Sequence, residues 1–366
     1  MSSFYLEAQF DFYISVPDLF VHDGTADYVR AQASLLESQS HRVCLVAQRT
    51  YQAELHATCH PEEITIEQAR TSRLIFHYGI HDEYALSLIK MPFREKILYF
   101  HNITPPHLVS SPKVAEVLQR SWVQFLDILP YFSKRIANSP FTIQQAQARS
   151  MPFREPRGRP APWCWLPPRI TSISKDSKIK REEGKNPLQI CMIGRLAGFK
   201  NTNAALELFR EIHKLNKCYS LYIVGRPAEV DMHEQEESLL EAIESTPNVY
   251  YQENVSNQIR NSIVASSIAS LSLSCHEGFS LPVYESIIQS TLPFYGGSLW
   301  LSQFLDSKEL QMCVSGDLEF DAFRLNRVLS NERNYRRLLR HVTRRSAMIE
   351  RLSSVRHQYK CLTMSL

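Results

Sequence analysis

The apolar positions of this chain fall into short runs that alternate with longer stretches of helical periodicity. Runs typical of buried parallel strands lie at 42–47, 73–77 and 96–101, and again at 188–194, 220–225 and 268–275. Helical periods lie at 27–38 and 203–213. Strands that alternate with helices in this way predict two α/β domains in tandem, each built on a parallel sheet.

A change of composition separates the two patterned regions. From Glu155 to Pro187 the chain is rich in Pro, Arg, Lys and Ser and has no apolar period, which is typical of a boundary or an exposed connection. We therefore predict an N-terminal domain at 1–165, a linker at 166–187 and a C-terminal domain at 188–330. A basic helical tail at 331–366 is expected to pack back on the N-terminal domain.

Length and charge narrow the classes of function. A chain of 366 residues suits two domains, and 41 Lys and Arg against 38 Asp and Glu leave a net charge of only +3. This charge gives no field that indicates nucleic acid as the main ligand. The N-terminus lacks the cationic and apolar regions of a secretory signal, and no apolar run approaches the length that spans a membrane. We therefore expect a cytoplasmic protein.

The eight cysteines are scattered and form no C-x-x-C pair, so they suggest neither a zinc site nor a disulfide scaffold. We expect them to be reduced and mostly part of the core. The sequence also lacks a D-x-D motif or a histidine cluster, so no metal ion and no cofactor are expected.

The segment C-H-E-G-F-S-L-P-V-Y-E, at 275–285, follows the predicted strand at 268–275. It would form the loop at the carboxyl end of that strand, where open α/β sheets bind ligands. Gly278 permits a tight turn or the close approach of a ligand, Ser280 suits an N-cap, and Pro282 is tolerated in a first helical turn. A helix that begins near Leu281 would turn its free N–H groups toward a phosphate.

Two acids flank this helix start. Glu285 would lie about one turn inside the helix, where it is either a partner of the helix dipole or a ligand for hydroxyl groups beside the phosphate. Glu277, on the loop, would reach the other end of the same ligand. A phosphate with hydroxyl groups on both sides describes a nucleotide-sugar, although acids at a helix start also serve as a capping device.

The segment G-R-L-A-G-F-K-N, at 194–201, also follows a strand and opens a helix. Arg195 and Lys200 would therefore project from a carboxyl end of the same sheet. An arginine fork and a lysine point charge can together neutralise a diphosphate. Their combination with the helix start predicts a diphosphate-binding site that resembles neither a Walker loop nor a G-x-G-x-x-G turn.

Taken in order, these motifs carry a family resemblance. G-R-L-A-G-F-K-N, L-Y-I-V-G (221–225), N-V-S (254–256) and S-C-H-E-G-F-S-L-P-V-Y-E resemble the nucleotide-binding half of the GT-B, family 4-type retaining glycosyltransferases. The E-x7-E element of that family would run from Glu277 to Glu285. F-H-N-I-T-P-P (100–106) resembles the segment that places a histidine in the cleft, and W-C-W-L-P-P (163–168) resembles the exit to the second domain.

The resemblance implies two Rossmann-like domains that face each other across a cleft and a role for each matched residue. It implies that Arg195 and Lys200 bind the donor diphosphate and that Glu285 binds the ribose. Glu277 would bind the hydroxyls of the transferred sugar, and His101 would contact the sugar from the opposite domain. The phosphate nearest the sugar would bind the backbone of Gly278, Phe279, Ser280 and Leu281.

The reaction that the resemblance implies is metal-independent, retaining transfer of a hexose from a UDP- or GDP-linked donor to a glycan or lipid-linked acceptor, in the synthesis of cell-surface polysaccharide. The sequence departs from the family pattern at two places. After the first strand, V-H-D-G-T-A-D-Y has only Gly24 in place of a Gly-rich loop, and Glu253 stands where a glycine is common. A non-catalytic nucleotide-sugar-binding relative or scaffold, and a sugar-nucleotide epimerase, remain alternatives.

The arginine-rich segment 333–345 fits three environments. It is typical of a solvated helix face, its apolar residues Leu338, Leu339 and Val342 also fit an internal helix contact, and the same stripe beside cations fits peripheral contact with an anionic membrane.

Overall fold

The structure is a computed structural model that describes residues 9–20, 23–51, 53–150, 161–168, 185–226, 233–296 and 312–364. The chain divides into two compact units. The first comprises Met1–Pro106, Glu116–Ile170 and Arg351–Leu366, and the second comprises His107–Ala115 and Thr171–Glu350. Most of the predicted linker at 166–187 lies outside the described residues.

The first unit is built on a parallel sheet in the order β5-β3-β1-β6-β7-β8-β9. Its strands are β1 Phe12–Ser15, β3 Val43–Val46, β5 Ala57–Cys59, β6 Arg73–Tyr78, β7 Glu95–Phe100, β8 Lys134–Ala137 and β9 Trp163–Trp165. A short parallel pair joins β2 Asp18–Leu19 to β4 Arg49–Thr50. The chain order reverses between β1 and β6, and the loops at that edge include the one that carries His101 after β7.

Helices connect these strands. They are α1 Gly24–Glu37, α2 Ile66–Thr71, α3 Ala85–Lys90, α4 Pro112–Ile128 and α5 Pro140–Ser150, of which α4 begins among residues of the second unit. Asp23 caps α1, because its carboxylate accepts hydrogen bonds from the backbone N–H groups of Thr25 and Ala26. Buried residues of α1 pack on the central strands, among them Val29 and Leu36.

The C-terminal residues belong to the first unit. Helix α12, Val355–Thr363, buries Leu362 in the same core as β1 and β3. Its Gln358 is buried, accepts a hydrogen bond from the Tyr28 hydroxyl at 2.9 Å and donates one to the Pro167 carbonyl at 2.6 Å. Helix α12 is thus part of this unit's core.

The second unit carries a five-stranded parallel sheet in the order β12-β11-β10-β13-β14. Its strands are β10 Asn186–Ile193, β11 Ser220–Val224, β12 Val249–Gln252, β13 Ser267–Ser272 and β14 Leu292–Tyr295. The chain order reverses between β10 and β13. In doubly wound sheets such a switch point opens the crevice that binds ligands.

The helices of the second unit bury one face each. They are α6 Thr202–Leu215, α7 His233–Glu244, α8 Asn257–Ser266, α9 Leu281–Ile288, α10 Leu318–Leu329 and α11 Glu332–Leu352. On α11 the apolar stripe is internal, since Leu338, Leu339 and Val342 are all buried. These apolar side chains are therefore not available to insert into a membrane.

The prediction of two α/β domains on parallel sheets is confirmed, and each predicted strand matches an observed one within a few residues. The expectation that the cysteines are mostly core residues is wrong. All eight are free, but only Cys44 and Cys191 are buried, whereas Cys218 and Cys275 are exposed. No helix among the described residues is long and apolar enough to cross a bilayer.

Candidate functional site

Two loops of the second unit meet at its switch point. One follows β10 and runs through 194–201; the other follows β13 and runs through 273–280. Because β10 and β13 are parallel neighbours, both loops leave the same edge of the sheet. The backbone N–H of Cys275 donates to the Phe199 carbonyl at 2.8 Å, so the two predicted motifs are joined directly.

The first loop is fixed at its start by close backbone packing. Gly194 adopts φ +147° and donates its N–H to the Val224 carbonyl at 3.0 Å. A Cβ on Gly225 would lie only 1.8 Å from the Gly194 carbonyl oxygen, so that neighbouring position accepts no side chain. The loop therefore leaves the sheet in a conformation that depends on these two glycines.

Lys200 and Glu277 form an ion pair across the two loops, with Lys200 Nζ 2.5 Å from Glu277 Oε1. Their side chains are only 17% and 12% exposed, so solvent screens the pair weakly. Sequence reasoning assigned the two residues to neighbouring parts of one ligand, and the structure brings them into contact. Without a ligand each charge is neutralised by the other.

Arg195 takes a different position. Its side chain is exposed, and no hydrogen bond or ion pair joins it to any described residue. The structure therefore places this guanidinium at the start of the same loop, where it forms no described ion pair with Glu277. Its part in binding a diphosphate stays a prediction.

Helix α9 begins at Leu281, as expected, but its cap differs from the prediction. Ser280 occupies the N-cap position in the left-handed conformation, with φ 60°, and makes no side-chain capping bond. Its Oγ is buried and has no hydrogen-bond partner among the described residues. The positive φ of Ser280 was not predicted: the tight turn or close approach of a ligand was assigned to Gly278, and Ser280 was expected only as an N-cap. Phe279 is buried and packs edge-on against Tyr284, with the ring centroids 5.6 Å apart.

A second hydroxyl lies in a similar position at the first loop. Thr202 is the first residue of α6, and its Oγ1 is buried with no partner in the described parts of the chain. Buried hydroxyl groups are usually hydrogen-bonded. Two such orphan hydroxyls thus lie at the amino ends of two helices that start at one sheet edge, and helix amino ends favour an anion such as a phosphate.

Glu285 is buried within α9, at 6% exposure, and Arg260 on α8 donates from Nη2 to its Oε1 at 3.0 Å. Sequence reasoning missed Arg260. Helix α8 directly precedes β13 and α9 directly follows it. A cation on α8 was therefore the available sequence signal for a partner of the buried acid on α9. The ion pair orients the Glu285 carboxylate within the fold.

His101 belongs to the first unit, just after β7, and is partly exposed. Its Nε2 lies 2.7 Å from Nδ1 of His77, a buried residue of β6. Burial lowers the pKa of His101 to about 4, against a smaller opposing effect of the Asp23 carboxylate. His101 is therefore a neutral imidazole at neutral pH.

His276, beside Glu277, is buried, and desolvation lowers its pKa to about 4. It is thus neutral and adds no cation to the diphosphate site. Within the described ranges no group of three or more His, Cys, Asp or Glu is placed to hold a metal ion.

Comparisons with known proteins bear on the family and the fold. A family model described as glycosyl transferases group 1 matches residues 174–294, which include both loops and α9. No curated protein sequence matches the chain.

Three solved structures resemble it in fold. The Alr3699/HepE protein of Anabaena, in complex with UDP and glucose, has a TM-score of 0.71 at 11% identity and covers 98% of this chain and 100% of its own. WaaG, a glycosyltransferase involved in lipopolysaccharide biosynthesis, has a TM-score of 0.64 at 12% identity, covering 96% and 100%. A TarM variant of S. aureus, in complex with Fondaparinux, alpha-GlcNAc-glycerol and UDP, has a TM-score of 0.61 at 10% identity, covering 82% of this chain and 56% of its own. The chain thus has the α/β, GT-B fold with two Rossmann-like domains.

Proposed function

We propose that this protein is a glycosyltransferase that moves a sugar from a nucleoside-diphosphate-sugar to an acceptor. The observation that carries the proposal is the Lys200–Glu277 pair at the switch point, on two loops that a backbone hydrogen bond joins. The lysine that we assign to the phosphates and the carboxylate that we assign to the sugar hydroxyls are thereby held in contact next to the amino end of α9. The family match over 174–294 and the fold support the same conclusion.

The donor diphosphate would replace Glu277 as the partner of the Lys200 ammonium, and Arg195 would be the second cation that binds it. The phosphate nearest the sugar would accept hydrogen bonds from the amides of Phe279 to Leu281 and from the orphan Ser280 Oγ. Glu285 would accept hydrogen bonds from the ribose hydroxyls. The hydrogen bond from Arg260 to Oε1 would hold the Glu285 carboxylate in place.

Release of Lys200 to the phosphates also frees the Glu277 carboxylate for hydroxyls of the transferred sugar. In the retaining reaction that we propose, the leaving phosphate takes the proton of the acceptor hydroxyl, and the protein stabilises an oxocarbenium-like state. Glu277 orients the sugar and need not attack the anomeric carbon, in contrast to the nucleophilic carboxylate of retaining hydrolases. No step requires a metal ion, because the cations Lys200 and Arg195 would carry the charge of the leaving group.

The donor that we propose is a UDP- or GDP-linked hexose, and the acceptor is a glycan or a lipid-linked sugar of cell-surface polysaccharide synthesis in the cytoplasm. Among the fold neighbours, HepE is seen with UDP and glucose, and WaaG is involved in lipopolysaccharide biosynthesis. These neighbours motivate the choice of donors and acceptors for a first screen.

We further propose peripheral contact with anionic lipid through the exposed arginines of α11. Arg333, Arg337, Arg340 and Arg344 are all exposed, whereas the apolar stripe is buried. The contact would therefore be electrostatic, at about 1 kcal/mol per arginine near a charged surface. Co-sedimentation with phosphatidylglycerol vesicles, but not with phosphatidylcholine vesicles, and its loss in high salt would support this contact; equal binding to both would refute it.

The test of the main proposal has three parts. A thermal-shift screen of UDP-, GDP- and ADP-sugars identifies the donor, and a transfer assay with that donor follows. Lys200→Ala should then weaken binding of the nucleoside diphosphate by calorimetry, and Glu277→Ala should retain binding but lose transfer. Donor binding without transfer to any acceptor would favour a non-catalytic relative, and full activity of Glu277→Ala would remove that residue from the site.

A further inference from the structure

Two hydrogen bonds fix how helix α12 lies against β9, the edge strand of the first unit's sheet. Near its start, Gln358 Nε2 donates to the carbonyl of Pro167, just beyond the carboxyl end of β9, at 2.6 Å. At its end, the Met364 carbonyl accepts from Nζ of Lys134 at 2.6 Å. Lys134 is the first residue of β8, which pairs with β9 in parallel. The helix therefore runs antiparallel to β9.

This arrangement brings two cysteines together. Cys361 lies on α12 between the two hydrogen bonds, and Cys164 is the middle residue of β9. Their thiols form a hydrogen bond, and both side chains pack on the core that contains Leu362. Each of the two is only partly buried, so a small solute can reach the pair.

The surroundings favour a thiolate at Cys361. The hydrogen bond from Cys164 and the Lys134 ammonium lower the pKa of Cys361 to about 7, although burial opposes them. His357, one turn earlier on α12, has Nε2 3.5 Å from Cys361 Sγ and can donate to the thiolate. The same thiol–thiol hydrogen bond and burial raise the pKa of Cys164. Since the thiolate is the reactive form of cysteine, Cys361 is the nucleophile of the pair.

The remaining titratable groups near the pair come from α1 and β7. Tyr28, on α1, lies within the electrostatic range of Cys361, and Tyr99, on β7, within that of Cys164. Burial raises the pKa of Tyr28 to about 12 and that of Tyr99 well above its ordinary value, so both are neutral. They add no charge that opposes the thiolate at neutral pH.

We propose that Cys361 and Cys164 are a redox-active thiol pair, in which a hydroperoxide oxidises Cys361 and Cys164 then closes a disulfide that ties α12 to β9. The pair belongs to the first unit alone and is independent of the proposed glycosyl transfer. A reversible disulfide of this kind is compatible with a reducing compartment, where cysteine pairs serve as redox sensors.

The chemistry takes two steps. In the first, the Cys361 thiolate attacks one peroxide oxygen, the O–O bond breaks, and the leaving oxygen takes up a proton, which leaves a sulfenic acid on Cys361. In the second, the Cys164 sulfur attacks the Cys361 sulfur, and the sulfenic hydroxyl leaves with the Cys164 proton as water. The two thiols lose two electrons, which reduce the hydroperoxide, and a dithiol reductant reverses the disulfide by exchange.

A second pair of cysteines provides an internal control. Cys44, on β3, and Cys59, on β5, have their Sγ atoms 3.4 Å apart, but Cys44 is buried. The hydrogen bond to Cys59 and burial raise the pKa of Cys44, and the other charged group that acts on it is the Glu63 carboxylate rather than a cation. This pair has proximity without an activated thiolate, so we expect it to stay reduced while the first pair is oxidised.

Mass spectrometry of the full chain tests the proposal. The reduced protein is treated with hydrogen peroxide at pH 7, the remaining thiols are blocked with iodoacetamide, and trypsin digestion follows without reductant. The segment 158–169, which contains Cys164, should be recovered linked to 361–366, and dithiothreitol should separate them. Cys44 and Cys59 should be recovered in the alkylated form. Absence of the 164–361 link, or a 44–59 link that forms as fast, would overturn the proposal.

Single variants test the role of each cysteine. Cys164→Ser should stop at the sulfenic acid, which dimedone traps on Cys361, whereas Cys361→Ser should yield neither the link nor a dimedone adduct on Cys164. Adducts on Cys164 instead would refute the assignment of the nucleophile. The variant Cys44→Ser is the matched control, and it should form the 164–361 link as the wild type does.

Two measurements on the wild type need no variant to fold. Alkylation of Cys361, followed on its tryptic peptide, should reach half its maximal rate near pH 7, and a midpoint at pH 8.5 or above, the ordinary value for cysteine, would refute the activated thiolate. The disulfide-linked chain should melt at a temperature about 5–15 °C above that of the reduced chain, because the bond closes a long loop of the unfolded chain. Equal melting temperatures would show that the bond does not tie α12 to β9.

Discussion

Replacing Glu277 by glutamine should tighten the binding of a free nucleoside diphosphate, although it removes a residue of the proposed site. In the wild type, Glu277 Oε1 lies 2.5 Å from Lys200 Nζ and competes with phosphate oxygens for this ammonium. Glutamine keeps the size and a carbonyl acceptor but removes the negative charge. Lys200 would then be fully available to the diphosphate.

The magnitude follows from the geometry. A phosphate oxygen bound to the same ammonium would lie about 5 Å from the carboxylate, where two like charges repel by about 3 kcal/mol at an effective dielectric constant of about 20. Partial screening and rearrangement reduce the net effect, so we expect a gain of about 1–2 kcal/mol, a fall in Kd of roughly five- to thirtyfold. Lys200→Met should change Kd in the opposite direction, by about 1.5–3 kcal/mol for a lost hydrogen bond to a charged group.

Isothermal titration calorimetry with UDP and GDP at low ionic strength measures both effects. The matched control is the exposed pair on α6, in which Lys214 Nζ lies 2.6 Å from Glu211 Oε1 and the lysine is 64% exposed. Glu211→Gln should leave Kd unchanged. Weaker or unaltered binding in Glu277→Gln would show that the carboxylate does not compete for the ammonium, and the proposed division of the pair between phosphate and sugar would be wrong.

Three further variants or conditions test the fold around the sites. Gly225→Ala should lower the melting temperature of the second unit, because its Cβ would lie 1.8 Å from a backbone oxygen and overpacking costs about 1–3 kcal/mol, whereas Gly198→Ala, with nothing within 4 Å, should not; equal melting temperatures would contradict the close approach. The free energy of unfolding should be highest above pH 6.5 and fall as the pH drops toward 4, because His101 and His276 bind protons in the unfolded chain at a higher pH than in the folded one, up to about 3 kcal/mol for each group; a flat profile of urea unfolding over this range would be inconsistent with their lowered pKa values. Gln358→Leu should destabilise the first unit by about 1–3 kcal/mol, since it removes two buried hydrogen bonds of about 0.5–1.5 kcal/mol each, and thermal unfolding that is unchanged would show that α12 is not anchored there.

The fold was predictable because its strands are buried on both faces and read as short apolar runs. Once β10 and β13 are recognised as strands, the general behaviour of doubly wound sheets places both motif loops at carboxyl ends. The order of the strands was less accessible, since nothing local in the sequence states that β10 and β13 are neighbours. The contact of Lys200 with Glu277, which are far apart in sequence, depends on that order.

The backbone conformation of the second loop, 273–280, could not be predicted from local sequence preferences. Sequence reasoning assigned a tight turn or close ligand approach to Gly278, because glycine has no Cβ, and did not predict that Ser280 adopts a positive φ. A left-handed serine costs about 1–2 kcal/mol and persists only where its surroundings impose it. In this loop those surroundings include the hydrogen bond from Cys275 to Phe199, which local propensity does not contain.

The sequence indicates that Glu285 needs a cationic partner but does not identify which residue it is. Position 285 lies on the buried face of an amphipathic helix, and a carboxylate placed there cannot remain ionised without a compensating cation. The sequence therefore demands a positive side chain nearby, yet many lysines and arginines in this domain satisfy the demand equally well. Only the packing of α8 beside α9 identifies Arg260 as the partner. Loss of Arg260 should therefore disturb the proposed ribose contact as much as loss of Glu285 itself.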